Sequence, residues 1–275
     1  MTDPIELCLA GRISPQVALA RAVLAGVTQA EIFARLEGCD GRVAGGLRRA
    51  LNQSGLDCLR RTADAYGIAH TPTDLASLRA AYDRAVAESP EAAVAAYSLG
   101  DAETLANATA EIAAWVKHRG LTGRDCDMLD LGCGIGRIAQ AVAPDVRRVI
   151  GIDISSGMLA EAWQRLRCYS NICLIQTGGP AIPLANGSID LVLAVDTFPY
   201  IVLAGLAEAT MSEISRILRP RGAVAILNLS YRGLEADRDD IARWSARHEF
   251  QVVESGAAPF RLWDGTAFLM RRAAD

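Results

Sequence analysis

The sequence predicts an α/β protein: a doubly wound, mostly parallel seven-stranded sheet with a separate, all-helical N-terminal region. Three observations carry this. Beyond residue 100, short apolar runs alternate with stretches of helical period, the pattern of parallel strands joined by right-handed crossovers. Before it, every apolar repeat has helical spacing, and neither strand-like alternation nor a fixed-period repeat occurs. Finally, "MLDLGCGIGRIAQAV" (128–142) passes from a buried-strand pattern through three glycines in five positions into a helix, where a ligand meets such a sheet. The reading divides the chain into a helical region, 1–100, and a sheet domain, 101–275.

The helical region is written with start and stop signals. "ISPQVALARAVLAG" has Ser14 as N-cap, Pro15 at the first helical position and Gly26 as a stop. "TQAEIFARLEG" opens on a capping box, Thr28 with Glu31, and closes on Gly38. "RVAGGLRRALNQ", weakened by Gly45 and Gly46, and "LDCLRRTADAY" follow. "TPTDLASLRAAYDRAVAES" and "SPEAAVAAYSLG" complete the set. The Arg pairs 48–49 and 60–61 read as solvated helix faces.

In the sheet domain, "DAETLANATAEIAAWVKHRG" is an amphipathic helix and "DMLDL" the first strand. After the glycine loop come helix 136–143, strand "RRVIGID", helix "SGMLAEAWQRLR" and strand "NICLIQ". "SIDLVLAVD" is continuous in apolar residues over 191–195, as a strand covered on both faces should be. "GLAEATMSEISRILRPRG" is a helix broken at Pro220 and Gly222. "AVAILNLS", helix "EADRDDIARWSARH", and strands "FQVVES" and "TAFLMRR" close the chain. The last two strands are joined by too short a loop for a parallel crossover, so at least one runs antiparallel.

Composition bounds the function. The chain has 275 residues, 51% of them apolar, enough for a substantial core. A net charge of −4 argues against a general nucleic-acid binder. No apolar run reaches the roughly 18 residues of a membrane span. The seven cysteines have no metal-ligand or C-x-x-C spacing, and no secretory leader precedes them. They read as buried thiols in a reducing cytosol. No metal site is expected. His70 reads as a turn residue, His118 and His248 as helix-end or surface residues.

The glycine loop narrows the ligand. A triphosphate loop needs Lys and Ser or Thr after its last glycine, but Arg137 and Ile138 follow Gly136. A dinucleotide fingerprint needs G-x-G-x-x-G, whereas Gly132, Gly134 and Gly136 make G-x-G-x-G. The second strand ends at Asp153, seventeen residues beyond Gly136, where a carboxylate can accept from both ribose hydroxyls. Glycines and a ribose-binding acid together indicate an adenosine-type ligand.

The stretches "LDLGCGIGRIA", "VIGIDIS", "IPLANGSIDLVLAVDTF" and "ISRILRPRGAVAIL" resemble, in order, the motifs of class I S-adenosylmethionine-dependent methyltransferases, small-molecule type, with a Rossmann-like fold. The resemblance covers 101–275 and is specific for fold and cofactor, not for substrate. It implies S-adenosyl-L-methionine as cofactor, with Asp130 and Gly132 bordering its methionine part and Gly134 and Gly136 allowing close backbone approach. Asp130 equally suits a role pinning the loop. It further implies Asp153 on the ribose, Ile154 and Met158 near the adenine or ribose face, and the segment at Gly178 and Gly179 along the adenine. Cys133 counts with the cofactor-binding positions; lacking a basic neighbour, its thiol reads as packed. Where the family often has G-D-A, this chain reads Thr177-Gly178-Gly179, so an adenine hydrogen bond worth about 1 kcal/mol must come from elsewhere or be absent.

"DTFPYIV" (196–202) follows the fourth strand, where the family places substrate and catalytic groups. Asp196 is read as an orienting group or base at the cofactor, or as a turn cap. Tyr200 is the second catalytic candidate. Phe198, Tyr200, Tyr231 and Arg232 are candidate substrate contacts, and Tyr97 joins them where the helical region hands over to the sheet. The expected function is methyl transfer to a small, partly apolar molecule beneath a helical lid, in the cytoplasm, with no nucleic-acid partner. A protein acceptor, a non-catalytic cofactor-binding sensor or partner subunit, and a nicotinamide dehydrogenase (opposed by Arg137 and the glycine spacing) are the alternatives.

Overall fold

The computed structural model describes residues 3–52, 55–67 and 74–274; His70 and the start of the helix expected from residue 71 lie outside them. The described chain divides into two compact units. One comprises Met1–Pro72, Ala80–Glu111 and Phe260–Asp264; the other comprises Thr73–Arg79, Ile112–Pro259 and Gly265–Asp275.

The first unit is helical. It holds α1 (Pro4–Leu9), α2 (Pro15–Leu24), α3 (Gln29–Leu36), α4 (Arg42–Asn52) and α5 (Leu56–Tyr66). Most of α6 (Leu75–Glu88), α7 (Pro90–Val94) and the first part of α8 (Ala102–His118) complete it. The α1 helix was not expected; Asp3 caps it and Pro4 opens it. Ser14 caps α2, its Oγ accepting the Val17 N–H at 3.2 Å. The capping box of α3 is reciprocal: Thr28 N–H donates to Glu31 Oε2 at 2.7 Å and Glu31 N–H to Thr28 Oγ1 at 3.2 Å. Arg48 and Arg60, expected to face solvent, donate to helix-end carbonyls instead, Arg48 to Leu36 and Cys39 and Arg60 to Val27. Segment 260–264 belongs here through side chains: Trp263 stacks between Phe260 and Tyr97 at ring distances of 5.3 and 6.2 Å, and Glu111 accepts the N–H groups of Arg261 and Leu262.

The second unit is built on β1 (Gly123–Leu131), β2 (Val146–Asp153), β3 (Ile172–Gln176), β4 (Ile189–Val195), β5 (Leu218–Leu227), β6 (Phe250–Ala257) and β7 (Ala267–Arg272). They form one sheet in the order β3-β2-β1-β4-β5-β7-β6. β1 to β5 pair in parallel, and β7 runs antiparallel to both β5 and β6, so the sheet is mixed. Helices α9 (Arg137–Val142), α10 (Ser156–Leu166), α11 (Phe198–Leu203), α12 (Ala207–Ile217) and α13 (Leu234–Arg247) connect the strands. Two elements differ from expectation. The helix expected over 205–222 ends at Ile217, because Leu218 already pairs with Ile189. The helix α11 over 198–203 was not expected; Pro199 lies in its first turn.

Leu129, Val192, Val224 and Ile226 are fully buried, as central strands covered on both faces require. At the amino ends of the strands, Asp127 (1% exposed) receives Arg147 at 2.8 Å and Arg148 and Arg219 at 3.2 Å. The Arg147 hydrogen bond holds this carboxyl below its ordinary range. The strand order turns back between β1 and β4, and the carboxyl ends there are the ligand position of such sheets.

Candidate active site

The glycine loop leaves β1 with Gly132 and Cys133 both donating to the Ile152 carbonyl, at 2.8 and 3.0 Å. Gly132 has φ +73°, and a Cβ there would lie 2.2 Å from Thr197 Oγ1. A side chain at this point meets both a backbone penalty and a neighbour. The Thr197 hydroxyl, at the end of β4, is shared between the Gly132 and Val195 carbonyls at 3.4 and 3.2 Å.

Asp153, the last residue of β2, does more than the sequence suggests. Its Oδ2 accepts the Gly134 N–H at 2.8 Å and its Oδ1 the Ser155 N–H at 2.9 Å. One carboxylate thus ties the glycine loop to the start of α10. A carboxylate has about four acceptor sites over its two oxygens, and binding a ribose diol is within the chemistry of such a group. Asp130, at the end of β1, is 1% exposed and accepts the Ala139 N–H at 3.1 Å. Burial raises its pKa from 3.8 to about 7, opposed by Arg137 and assisted by Asp153. Cys133 is buried, and its thiol is raised well above its usual value by burial. Its Sγ would lie 3.0 Å from a Cβ on Gly151, so it is a packed group, as expected.

Ile154 is half-buried, and Met158 is buried at the start of α10, its N–H capped by Ser155 Oγ at 3.0 Å. Beyond β3, Thr177 N–H donates to the Asp153 carbonyl at 3.0 Å. Gly178 is exposed and open, and Gly179 has only Leu75 near a would-be Cβ, at 3.9 Å.

At the end of β4, Asp196 adopts φ +56°. Its Oδ1 accepts from Asn228 Nδ2 at 2.6 Å. Asn228 was not singled out in the sequence; only the parallel register of β4 with β5 brings it to Asp196. Tyr200 and Tyr231 meet edge-on at 6.3 Å, with their hydroxyls 3.4 Å apart. One expected substrate contact, Phe198, is corrected. Phe198 is fully buried against Trp244 and presents no surface to a ligand. Arg232 pairs with Asp240 and lies 3.9 Å from Asp237, so its charge serves the start of α13. Tyr97 belongs to the helical unit and is buried on Trp263.

The cysteines depart from expectation in part: Cys8, Cys126 and Cys133 are buried, but Cys168 and Cys173 are exposed, and all seven are free thiols. Among the described residues, no group of three His, Cys, Asp or Glu has metal-binding geometry, and no helix is long and apolar enough to cross a membrane.

A glycine loop at the switch point, an acid ending the second strand, and further carboxylates at the first and fourth strand ends define the class: an α/β domain for a cationic adenosyl ligand. Buried Asp130 fits a cofactor carrying sulfonium and ammonium charge, because such a ligand offsets the cost of ionising it. Residues 129–226 match the family described as a methyltransferase domain. Over these residues the chain is similar to methyltransferase domains, and S-adenosyl-L-methionine is the cofactor that this similarity implies. An O-methyltransferase of Pyrenophora dematioidea is 32% identical over 161 residues, 54% of this chain and 56% of that protein. A demethylmenaquinone methyltransferase of Tropheryma whipplei is 30% identical over 115 residues, 42% of this chain and 46% of that protein. This chain thus covers about half the length of these relatives. An S-adenosylmethionine-dependent methyltransferase from Clostridium acetobutylicum shares the fold, with a TM-score of 0.50 and 15% identity over 61% of this chain and 92% of that one.

Proposed function

We propose that this protein transfers the methyl group of S-adenosylmethionine to a small, partly apolar acceptor. The observation that carries the reading is the convergence of Asp130, the glycine loop, Asp153 and Asp196 at the carboxyl ends of adjacent strands within one compact unit. The net charge of −4 favours a small acceptor over nucleic acid.

The cofactor supplies an activated methyl on a sulfonium, so the protein contributes alignment and water exclusion. In this reading Asp153 receives the ribose hydroxyls while holding Gly134. The loop backbone lets the cofactor approach, and Asp130 faces its cationic end. Asp196 orients the acceptor and takes its proton where the acceptor is a hydroxyl or an ammonium. Tyr200 and Tyr231 offer aromatic faces and hydroxyls on the same rim. The sheet unit holds every cofactor candidate; the helical unit, in this reading, contributes to the choice of acceptor.

Incubating the protein with cell extract and methyl-labelled S-adenosylmethionine, then searching by mass spectrometry, is expected to yield S-adenosylhomocysteine and a labelled small molecule. Label in protein would redirect the acceptor class, and no turnover would leave a cofactor-binding sensor. Asp153→Ala is expected to weaken S-adenosylhomocysteine by ten- to a hundredfold in calorimetry, since charge-assisted hydrogen bonds contribute about 1.5–3 kcal/mol. Unchanged affinity in the folded variant would refute the ribose assignment.

A further inference from the structure

We propose that Asn228 is a positioning residue that holds the Asp196 carboxylate toward the transferring methyl; the inference rests on the acceptor-side reading of Asp196 above. β4 and β5 are parallel neighbours whose last paired residues are Val195 and Leu227. The next residue of each strand, Asp196 and Asn228, turns into the left-handed region, at φ +56° and +67°. For a residue with a Cβ this conformation costs on the order of 1 kcal/mol or more, and paired outliers persist only where their surroundings fix them.

The surroundings here do so. Asp196 N–H donates to the Leu227 carbonyl at 2.8 Å, and Asn228 N–H to the Thr266 carbonyl at 2.7 Å. The side chains then meet, Asn228 Nδ2 donating to Asp196 Oδ1 at 2.6 Å. Glycine would make the β5 turn at least cost. The asparagine adds an amide donor directed at one carboxylate oxygen. That donor fixes the carboxylate rotamer. The adjoining Thr197 reaches the Gly132 carbonyl, so the residue after Asp196 ties this strand end to the glycine loop.

The test uses the full chain and two cofactor analogues. Sinefungin carries a cationic amine at the methyl-bearing position, whereas S-adenosylhomocysteine has a neutral thioether. The ratio of their dissociation constants therefore reads a carboxylate facing that position. Wild type is expected to favour sinefungin, and Asp196→Asn to reduce that preference about tenfold, equivalent to about 1.4 kcal/mol. Asn228→Gly, which keeps the left-handed turn and removes the amide, is expected to reduce it three- to tenfold, the loss falling on sinefungin. In the Asp196→Asn background, Asn228→Gly should add nothing, because its effect runs through the carboxylate. Should the glycine variant not fold, Asn228→Ala carries the same cycle.

An unchanged ratio in Asp196→Asn would overturn the reading of Asp196. A ratio that falls in Asp196→Asn but not in Asn228→Gly would overturn the role of Asn228 alone. Equal weakening of both analogues by Asn228→Gly, or an undiminished effect in the double variant, would make Asn228 a structural turn residue and overturn the proposal.

Discussion

Asp130 shows how one buried side chain sets a pH dependence. Its folded pKa of about 7 lies above the ordinary 3.8. Between those values the folded chain keeps a proton that the unfolded chain has lost, so stability falls as pH rises through this window and levels off above it. Asp130→Asn retains an oxygen for the Ala139 N–H and removes the titration. Urea unfolding at pH 5 and pH 7.5 is expected to show a smaller decline for the variant than for wild type. A cationic cofactor favours the ionised carboxylate, so binding near pH 6.5 should release protons, fewer in the variant; calorimetry in two buffers of different ionisation enthalpy reads this. Gly178 poses the converse case, a side chain the family often has and this chain lacks. A Cβ there meets nothing within 4 Å, and the backbone is not left-handed. Gly178→Asp is therefore expected to tighten S-adenosylhomocysteine up to about fivefold, the value of one hydrogen bond.

Among the elements, the end of β4 and the glycine loop after β1 are fitted to each other. An alanine at Gly132 would place Cβ 2.2 Å from Thr197 Oγ1 and 2.8 Å from Thr197 Cβ, on a backbone at φ +73°. Gly132→Ala is expected to cost at least about 2 kcal/mol and to abolish detectable cofactor binding. Thr197→Gly in the same chain removes the steric part and leaves the backbone part, so roughly half of the lost stability should return. Urea midpoints of the single and double variants check both statements. A full rescue would show that backbone conformation costs nothing at this position.

For the whole molecule, the loop between β6 and β7 supplies the helical unit with Trp263, 5% exposed and stacked between Phe260 and Tyr97. Ser14 Oγ also donates to the Leu262 carbonyl at 3.1 Å, and Arg21 pairs with Asp264. Trp263→Ala is expected to cost about 3–5 kcal/mol of the helical unit's packing. Hydrogen exchange should then rise across 15–24 and 96–99 while 128–131 in β1 stay protected. Equal loss of protection in both segments would show that the two units unfold together. A truncation at residue 95 would strip Leu262 of Ser14 and Asp264 of Arg21, so a test of the helices by deletion must also account for 260–264.

The sequence by itself determined the strand–helix alternation, the caps of α2 and α3, the glycine loop at the switch point and Asp153 as the acid ending β2. These are local: periodicity, cap chemistry and left-handed glycines are set by neighbours within a few residues. It also placed Asp196 at a strand end, because an apolar strand must stop where a charge begins. Only the tertiary structure decided what those residues touch. Gly132 meets Thr197, Asp196 meets Asn228, and Ser14 meets Leu262 across separations of 65, 32 and 248 residues. The same reason overturned Phe198, whose residue type suits a pocket rim as well as a core. Sheet register and long-range packing, invisible to any local pattern, chose between those uses.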